Sequence, residues 1–511
     1  MEFKNISHID FGPRDARHAA THDAFNEDLF KRIYVDPFGI DKRDYYKGNK
    51  SFVFGLKGSG KSAFLKYMEI EKRSSAHTRF VYFSDSLQEL NGEGGGTNIL
   101  ATSTDFEGIE NYDEYWQSFI YLLISKVLFE SDHSRHKKLL QFVRGQSSGD
   151  AGGLLKGILS KAPTMERWAA EISKAPSFKL EGGFENIANL EHLFSSVTHI
   201  LSERPPQKPI YLFVDELEIT FENKAQFDRD VNIGASLVRI IRKLNEDFRS
   251  KSIPVYICCA IRKEVSERIL GGDSAKIVSD LGNEISWQRT SKVNDDPEFA
   301  HPLLDIIIRR IFYANRPGGR FMSKEDAAGV VKQYFPFFNA RGSGRFTQGS
   351  LLDLTTYRPR DMSILFNEAK KIDGKRNFFK ADTFKRLIRK PLREAMWSDY
   401  TEALRSRFSA RQMEVFKKVF FRLPRRFKFS DFLTALDDFS EDPDMAEMLD
   451  GFKATDWANI LKELYVLGAI GNIESGEVVD ERMLFYFRGY TDGLLINRNV
   501  DIIKQSAMFD A

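Results

Sequence analysis

Eight consecutive residues, Gly55-Leu56-Lys57-Gly58-Ser59-Gly60-Lys61-Ser62, have the types and spacing to hold an anion. Glycine lets the backbone bend sharply and bring N–H groups close to a ligand. A short apolar run, Ser51 to Phe54, enters the octet. Ala63 to Ile70 then alternates apolar and polar residues at helical spacing, so a helix N-terminus adds its positive end. Gly-x-x-x-x-Gly-Lys-Ser between a strand and a helix is the phosphate-loop pattern. Lys61 then reaches the β- and γ-phosphates, and the Ser62 hydroxyl binds Mg²⁺. A chance glycine turn is the plain alternative, and the strand–loop–helix context argues against it. The expected nucleotide contacts are Gly55, Lys57, Gly58, Ser59, Gly60, Lys61, Ser62 and Ala63, with ATP and Mg²⁺ as the ligands.

A second acidic element belongs to the same chemistry. Ile210-Tyr211-Leu212-Phe213-Val214 is a continuous apolar run between Pro209 and Asp215, the pattern of a central parallel strand buried on both faces. Asp215 at its end would hold Mg²⁺, directly or through water. Glu216 follows as the general base that polarises the attacking water. Glu218 is a more distant acidic neighbour. Arg262 ends the next apolar run, Val255 to Ile261, where it could sense the γ-phosphate; an exposed strand-end arginine is the equal alternative. Tyr357-Arg358-Pro359-Arg360-Asp361 opens a helical stretch, and Arg360, or failing it Arg358, could swing onto the γ-phosphate. A surface Arg-Pro turn is the plain reading there.

The elements that must position these residues alternate. Strand patterns at Arg79 to Phe83, Ile210 to Val214 and Val255 to Ile261 are interspersed with helical patterns at Tyr112 to Phe129, Glu191 to Leu201 and Ile233 to Leu244, which implies a parallel α/β sheet. From about Pro297 the chain turns helical, at Leu303 to Phe312, Lys324 to Tyr334 and Met362 to Lys371. Glycine-rich stretches at Asn91 to Thr97 and Gly145 to Gly153 read as loops. The expected division is an N-terminal segment, 1–50, packing on the core; a phosphate-loop core, 51–295, with a helical insertion at about 85–205; a helical lid, 296–396; and a C-terminal module, 397–511.

Composition sets outer bounds. The chain has 511 residues, enough for two to four domains, and is 42% apolar. A net charge of +2 excludes a general polyanion binder and leaves only local basic patches. The two cysteines, Cys258 and Cys259, are adjacent and form no disulfide framework, which fits a reducing compartment. No apolar run approaches the roughly 20 residues needed to span a bilayer, and Met1 to His8 lacks a signal-like core. The expectation is a cytoplasmic protein with no membrane contact.

The C-terminal module runs helix, helix, helix and then two short β segments. Thr455 to Leu467 reads as a helix, with Thr455 as N-cap and Gly468 as C-cap. Ala469 to Ile473 and Met483 to Arg488 read as a hairpin, so the pattern is that of a winged helix-turn-helix. Its third helix carries Asp456, Lys462 and Glu463 and is not basic, which argues against base reading. The stretch before it is basic: Arg405, Arg407, Arg411, Lys417, Lys418, Arg422, Arg425, Arg426 and Lys428 face one acid, Glu414. It could contact phosphates without reading sequence, although such runs are usually solvated faces.

Gly55 to Ser62, Val214-Asp215-Glu216, Arg262 and Arg358-Pro359-Arg360 together resemble the AAA+-like ATPases, especially the branch shared by signal-transducing STAND ATPases and origin-recognition-type ATPases. The last motif is similar to the sensor 2 pattern Gly-x-Pro-Arg, with Tyr357-Arg358 in place of the usual glycine start. Phe11-Gly12, Lys57 to Ser62, Asp215 to Glu218 and Leu464 to Asn472 also resemble a group of bacterial P-loop ATPases over nearly the whole chain. The resemblance implies an α/β P-loop NTPase of the ASCE/AAA+-like kind, with hydrolysis favoured over phosphoryl transfer by the Asp-Glu pair. It further implies a homo-oligomer borrowing an arginine, with Arg268, Arg289, Arg309 and Arg310 as candidate donors, and a role in bacterial anti-phage defence or stress signalling. Three readings follow. One is an ATPase switch passing its nucleotide state to a protein partner or effector. Another is a nucleic-acid-binding or remodelling ATPase using the winged helix and the basic 405–428 run. The third is a nucleotide-gated scaffold without turnover. A small-molecule kinase is more remote, because no acceptor site is readable.

Overall fold

The computed structural model of the chain describes residues 3–13, 27–82, 112–131, 198–199, 201–215, 224–270, 274–288, 301–317, 320–339, 346–404, 408, 410–441, 454–474, 482–486, 493–496 and 500–509. Glu216, Glu218, Arg289, Arg405, Arg407, the loops at 91–97 and 145–153 and most of the 85–205 insertion lie outside these residues. So do the side chains of Arg268, Arg411 and Asp456. The chain divides into two compact groups. One contains Gly39–Lys57 and Lys61–Ile285; the other contains Met1–Phe38, Gly58–Gly60 and Ser286–Ala511.

The first group is an α/β unit. Its strands are β1 (Phe52–Gly55), β2 (His77–Tyr82), β3 (Ile210–Asp215), β4 (Val255–Arg262) and β5 (Gly282–Glu284). They form one sheet in the order β2-β3-β4-β1-β5, and every neighbouring pair is parallel. Its longer helices are α1 (Lys61–Lys72), α2 (Tyr112–Ser131), α3 (Lys224–Ser250), α4 (Lys263–Leu270) and α5 (Ser274–Leu281). All residues of β1 and β3 are buried, which explains why both strands are apolar without alternation. With a phosphate loop leaving its β1, this sheet is an α/β fold of the P-loop NTPase type.

Buried polar groups fix β1, the strand that carries the loop. The Asn245 amide of α3 donates to the Ile257 carbonyl and the Ser51 hydroxyl, and accepts from the Ile257 N–H at 2.9 Å. One side chain thereby ties α3 to β4 and to the residue before β1. The Tyr45 hydroxyl donates to the Phe52 carbonyl at 3.0 Å and lies 3.2 Å from Asn283 Oδ1 in β5. Strand β5 is only Gly-Asn-Glu. It has no apolar run to announce it, and its pairing with β1 holds it in place.

The second group is helical and then mixed. Its longer helices before the C-terminal part are α6 (Pro302–Asn315), α7 (Lys324–Tyr334), α8 (Pro359–Asp373) and α9 (Arg389–Leu404). Ser323 and Asp326 form a reciprocal capping box at the start of α7. Residues 1–38 belong to this group, whereas the sequence expectation kept 1–50 together against the ATPase core. The cause is visible at Phe11, which packs on Phe366 and Phe379 with ring centroids 5.4 and 6.0 Å away. The Lys370 ammonium donates to the Ile9 carbonyl at 2.8 Å, and Asn367 donates to that of Gly12 at 2.9 Å.

The C-terminal part contains α10 (Ala410–Arg422), β6 (Arg426–Phe427), α11 (Phe429–Ser440), α12 (Ala454–Val466), β7 (Ile470–Glu474), β8 (Arg482–Leu484) and β9 (Asp501–Lys504). Strands β7 and β8 pair antiparallel, as the hairpin reading requires. The sheet is wider than two segments: its order is β6-β9-β7-β8. Helix α12 begins at Ala454, one residue before the Thr455 expected to cap it, and Gly468 ends it with φ +86°.

Candidate functional site

The loop after β1 is shaped by two glycines. Gly58 has φ +79° and Gly60 has φ +99°, a backbone region in which a side chain is strained. A Cβ on Gly58 would lie 2.8 Å from the Cβ of Arg360. Lys61, nearly buried, opens α1 and turns its ammonium back to the loop, donating to the carbonyls of Gly55 at 2.7 Å and Leu56 at 3.0 Å. Phosphate oxygens are strong acceptors for an ammonium placed in this way. Ser62 and Ala63 follow in the first turn of α1, both part-buried.

Register places the acidic residue. Val214 pairs with Cys259, and Cys259 with Phe52, so Asp215 lies level with Ala260 and Val53. Asp215 is buried, two strands from β1 and two residues short of the level of Gly55. That is about 10 Å across and about 7 Å along the sheet. Arg262 pairs in register with Gly55 itself and is part-buried. Strand register therefore brings Gly55, Asp215 and Arg262 to the carboxyl edge of one parallel sheet, where ligands of such folds bind. Among the described residues no cluster of three or more His, Cys, Asp or Glu could hold a metal. Ser62 and Asp215 nonetheless suit Mg²⁺, which takes one or two protein oxygens and completes its shell with phosphates and water.

The tip, Gly58–Gly60, groups with the helical unit. The Trp287 indole N–H donates to the Ser59 carbonyl at 2.8 Å, and its ring lies 3.7 Å from the position of a Cβ on Gly60. The Ser59 hydroxyl is buried with no hydrogen-bond partner among the described residues. An unmet buried hydroxyl at this tip fits an anion-binding loop. The glycine cradle, the ammonium and this orphaned hydroxyl fit the phosphate groups of a nucleotide. Nothing in the spacing marked Trp287 as a loop contact, because the short strand before it has no pattern of its own.

The two arginines around Pro359 have different environments. Arg358 is buried and 3.2 Å from Asp361. Burial opposes its charge, but the Asp361 carboxylate outweighs that and raises its pKa further. Asp361 also accepts from the N–H and hydroxyl of Thr356, at 2.8 and 2.5 Å. This closes a turn in which Tyr357 takes φ +54°, a strained value for a non-glycine residue. Arg360 lies against the loop tip instead. Its N–H is 3.4 Å from the Gly58 carbonyl, and its guanidinium is 3.5 Å from Asp399 of α9.

Other expected contributors are engaged elsewhere. Arg309 pairs with Asp305 at 2.9 Å and donates to the Arg32 carbonyl, while Arg310 lies near Asp10. Burial pushes the Cys258 thiol up to about 12, so it is an inert core residue. In the basic run, Arg422 lies over Phe439 at 4.3 Å and Arg425 over Phe509 at 4.5 Å. Arg426 pairs with Asp501, and Lys418 with Glu414.

No family model matches the chain, and no curated protein does. Among solved structures, the chain is similar to the Orc1 protein of Aeropyrum pernix in complex with DNA, at 11% identity over 85% of this chain and 82% of that one. The TM-score is 0.30, too low to carry an inference about fold or function.

Proposed function

We propose that this chain binds ATP with Mg²⁺ and hydrolyses it as a molecular switch of the AAA+-like kind. The observation that carries the reading is the loop itself: two left-handed glycines between a buried strand and a helix, with a nearly buried lysine turned onto the loop. Lys61 holds the β- and γ-phosphates, while Ser62 and Asp215 hold the metal. Bound Mg²⁺ neutralises charge between the phosphates. Glu216, the residue after β3, orients the attacking water. Arg262 and Arg360 are the residues that motif likeness assigns to the γ-phosphate. The C-terminal part acts as a winged-helix module that passes the state to a protein partner. Anti-phage defence, a cytoplasmic setting and assembly into homo-oligomers belong to the same reading and rest on motif likeness. Among the described residues no helix is long and apolar enough to cross a membrane.

The nucleic-acid reading draws less support. Several arginines of its basic run stack on the chain's own rings or pair with its own acids. The test of hydrolysis is Glu216→Gln. We expect nucleotide binding within about threefold of the parent and turnover lowered about 10²–10⁴-fold, the range for loss of a general base. Turnover retained by that variant would remove Glu216 from the mechanism.

A further inference from the structure

A cation in the first turn of a helix opposes the helix dipole. Helix α8 nevertheless has Arg358 at its N-cap and Arg360 in its first turn. Arg358 is buried 3.2 Å from Asp361, which is itself tied to Thr356, and the Asp399 carboxylate also supports its charge. Arg360 has a looser contact, 3.5 Å to Asp399, between side chains that are 13% and 19% exposed. A long contact of this kind is easily exchanged for a better anion.

Asp399 also stands in an informative place. Two residues earlier on α9, Trp397 packs on Phe416, Phe420 and Phe421 of α10, with centroids 6.1, 5.5 and 5.0 Å away. Phe416 continues the stack to Trp457 of α12. Residues i and i+2 lie about 200° apart around a helix. Helix α9 is thus interposed between Arg360 and the aromatic stack of the C-terminal module. Next to Asp399, the Tyr400 hydroxyl is buried with no hydrogen-bond partner among the described residues. An unmet buried hydroxyl is a local cost, and it marks this side of α9 as incompletely satisfied in the present arrangement.

We propose that Asp399 is the exchangeable counter-charge of Arg360, displaced when a γ-phosphate takes the guanidinium, and that α9 carries this exchange through Trp397 to the C-terminal module. The proposal rests on the reading that Arg360 meets the γ-phosphate. Asp399 is then a competitor for Arg360, and its removal favours the triphosphate-bound state.

The test compares β,γ-imido-ATP with ADP, both with Mg²⁺, on the full chain. Asp399→Asn should tighten binding of the imido analogue about three- to tenfold, the scale of a partly exposed ion pair, and leave ADP unchanged. Asp399→Glu should keep the parent preference. In an Arg360→Ala background, Asp399→Asn should have no effect. Hydrogen exchange on the unsubstituted chain gives a second readout that needs no substitution to fold: the analogue should change protection across residues 397–421 where ADP does not. Equal effects of Asp399→Asn on both nucleotides, weaker analogue binding, or the same exchange pattern with both ligands would each overturn the proposal. If Arg360→Ala leaves the analogue-over-ADP preference intact, the reading of Arg360 falls, and this proposal with it. If Arg360→Ala lowers that preference but Asp399→Asn does not change it, only the role of Asp399 falls.

Discussion

The phosphate loop and the basic run between 405 and 428 both look like places for phosphate, and they are built on opposite principles. The loop carries only two cations, Lys57 and Lys61. The proposed function draws there on backbone shape, a helix N-terminus and one ammonium held in a nearly buried position. The run carries nine cations, yet Arg422, Arg425 and Arg426 are engaged by Phe439, Phe509 and Asp501 of the same chain. An arginine stacked on a ring buries its stem and stabilises its own fold. A count of charge along a sequence therefore says little about which cations are already engaged within the fold.

The comparison is broken most sharply by leaving every charge in place and changing only shape. Gly58→Ala forces a side chain onto a residue at φ +79° and sets its Cβ 2.8 Å from the Arg360 Cβ. The left-handed strain alone costs about 1–2 kcal/mol. With the contact added, we expect ATP affinity to fall about 10–100-fold, measured by titration calorimetry, while the melting temperature changes by only a few degrees. An unchanged affinity would show that the loop does not bind through its backbone.

The converse variant removes charge where shape is absent. Lys417 and Lys418 are exposed on α10. Lys417→Ala with Lys418→Ala should leave ATP affinity within about twofold, because neither lysine belongs to the loop and exposed charges are screened by salt. If the nucleic-acid reading were right, the same pair would lower the salt dependence of DNA binding by about two counterions. We expect no salt-sensitive DNA binding to lose. A filter-binding series across salt concentrations decides between them.

The same contrast explains what was legible in the sequence. Strand β3 was readable because burial on both faces requires apolar residues throughout, and Pro209 marks its start. Helix α7 was readable as Lys324 to Tyr334 from its helical pattern, and the structure adds the capping box of Ser323 and Asp326 at its start. Gly468 was readable because a helix that ends in a left-handed residue favours glycine. Strands β5, β6 and β9 were not readable. Each is two to four residues long and held by its neighbours rather than by its own pattern. The phosphate loop, Asp215 and Arg262 come from local motifs, and the structure brings them to one sheet edge. The sequence motif put Arg360 ahead of Arg358, but which carboxylate reaches which guanidinium is visible only in the structure. The grouping of residues 1–38 was equally hidden, because Phe11 finds its partners more than 350 positions along the chain.

The smallest expected effect sharpens the point within the α/β unit. Asp113 of α2 accepts from the Ser236 hydroxyl and from Arg239 of α3, the latter at 2.8 Å. Burial works to raise its pKa, but these hydrogen bonds and the Arg239 charge win, and the folded value lies below the ordinary 3.8. A depressed carboxyl stabilises the fold above its unfolded pKa and loses that contribution as pH falls through the folded value. The pair is about half exposed, so solvent screens it and the contribution is less than about 1 kcal/mol. Asp113→Asn should lower the melting temperature by a degree or two near neutral pH and by less below about pH 3. A loss of the same size at both pH values would mean that the contact acts through packing and not through charge. That outcome would set Arg239 beside Arg422 and Arg425, as another arginine whose stem matters more than its head.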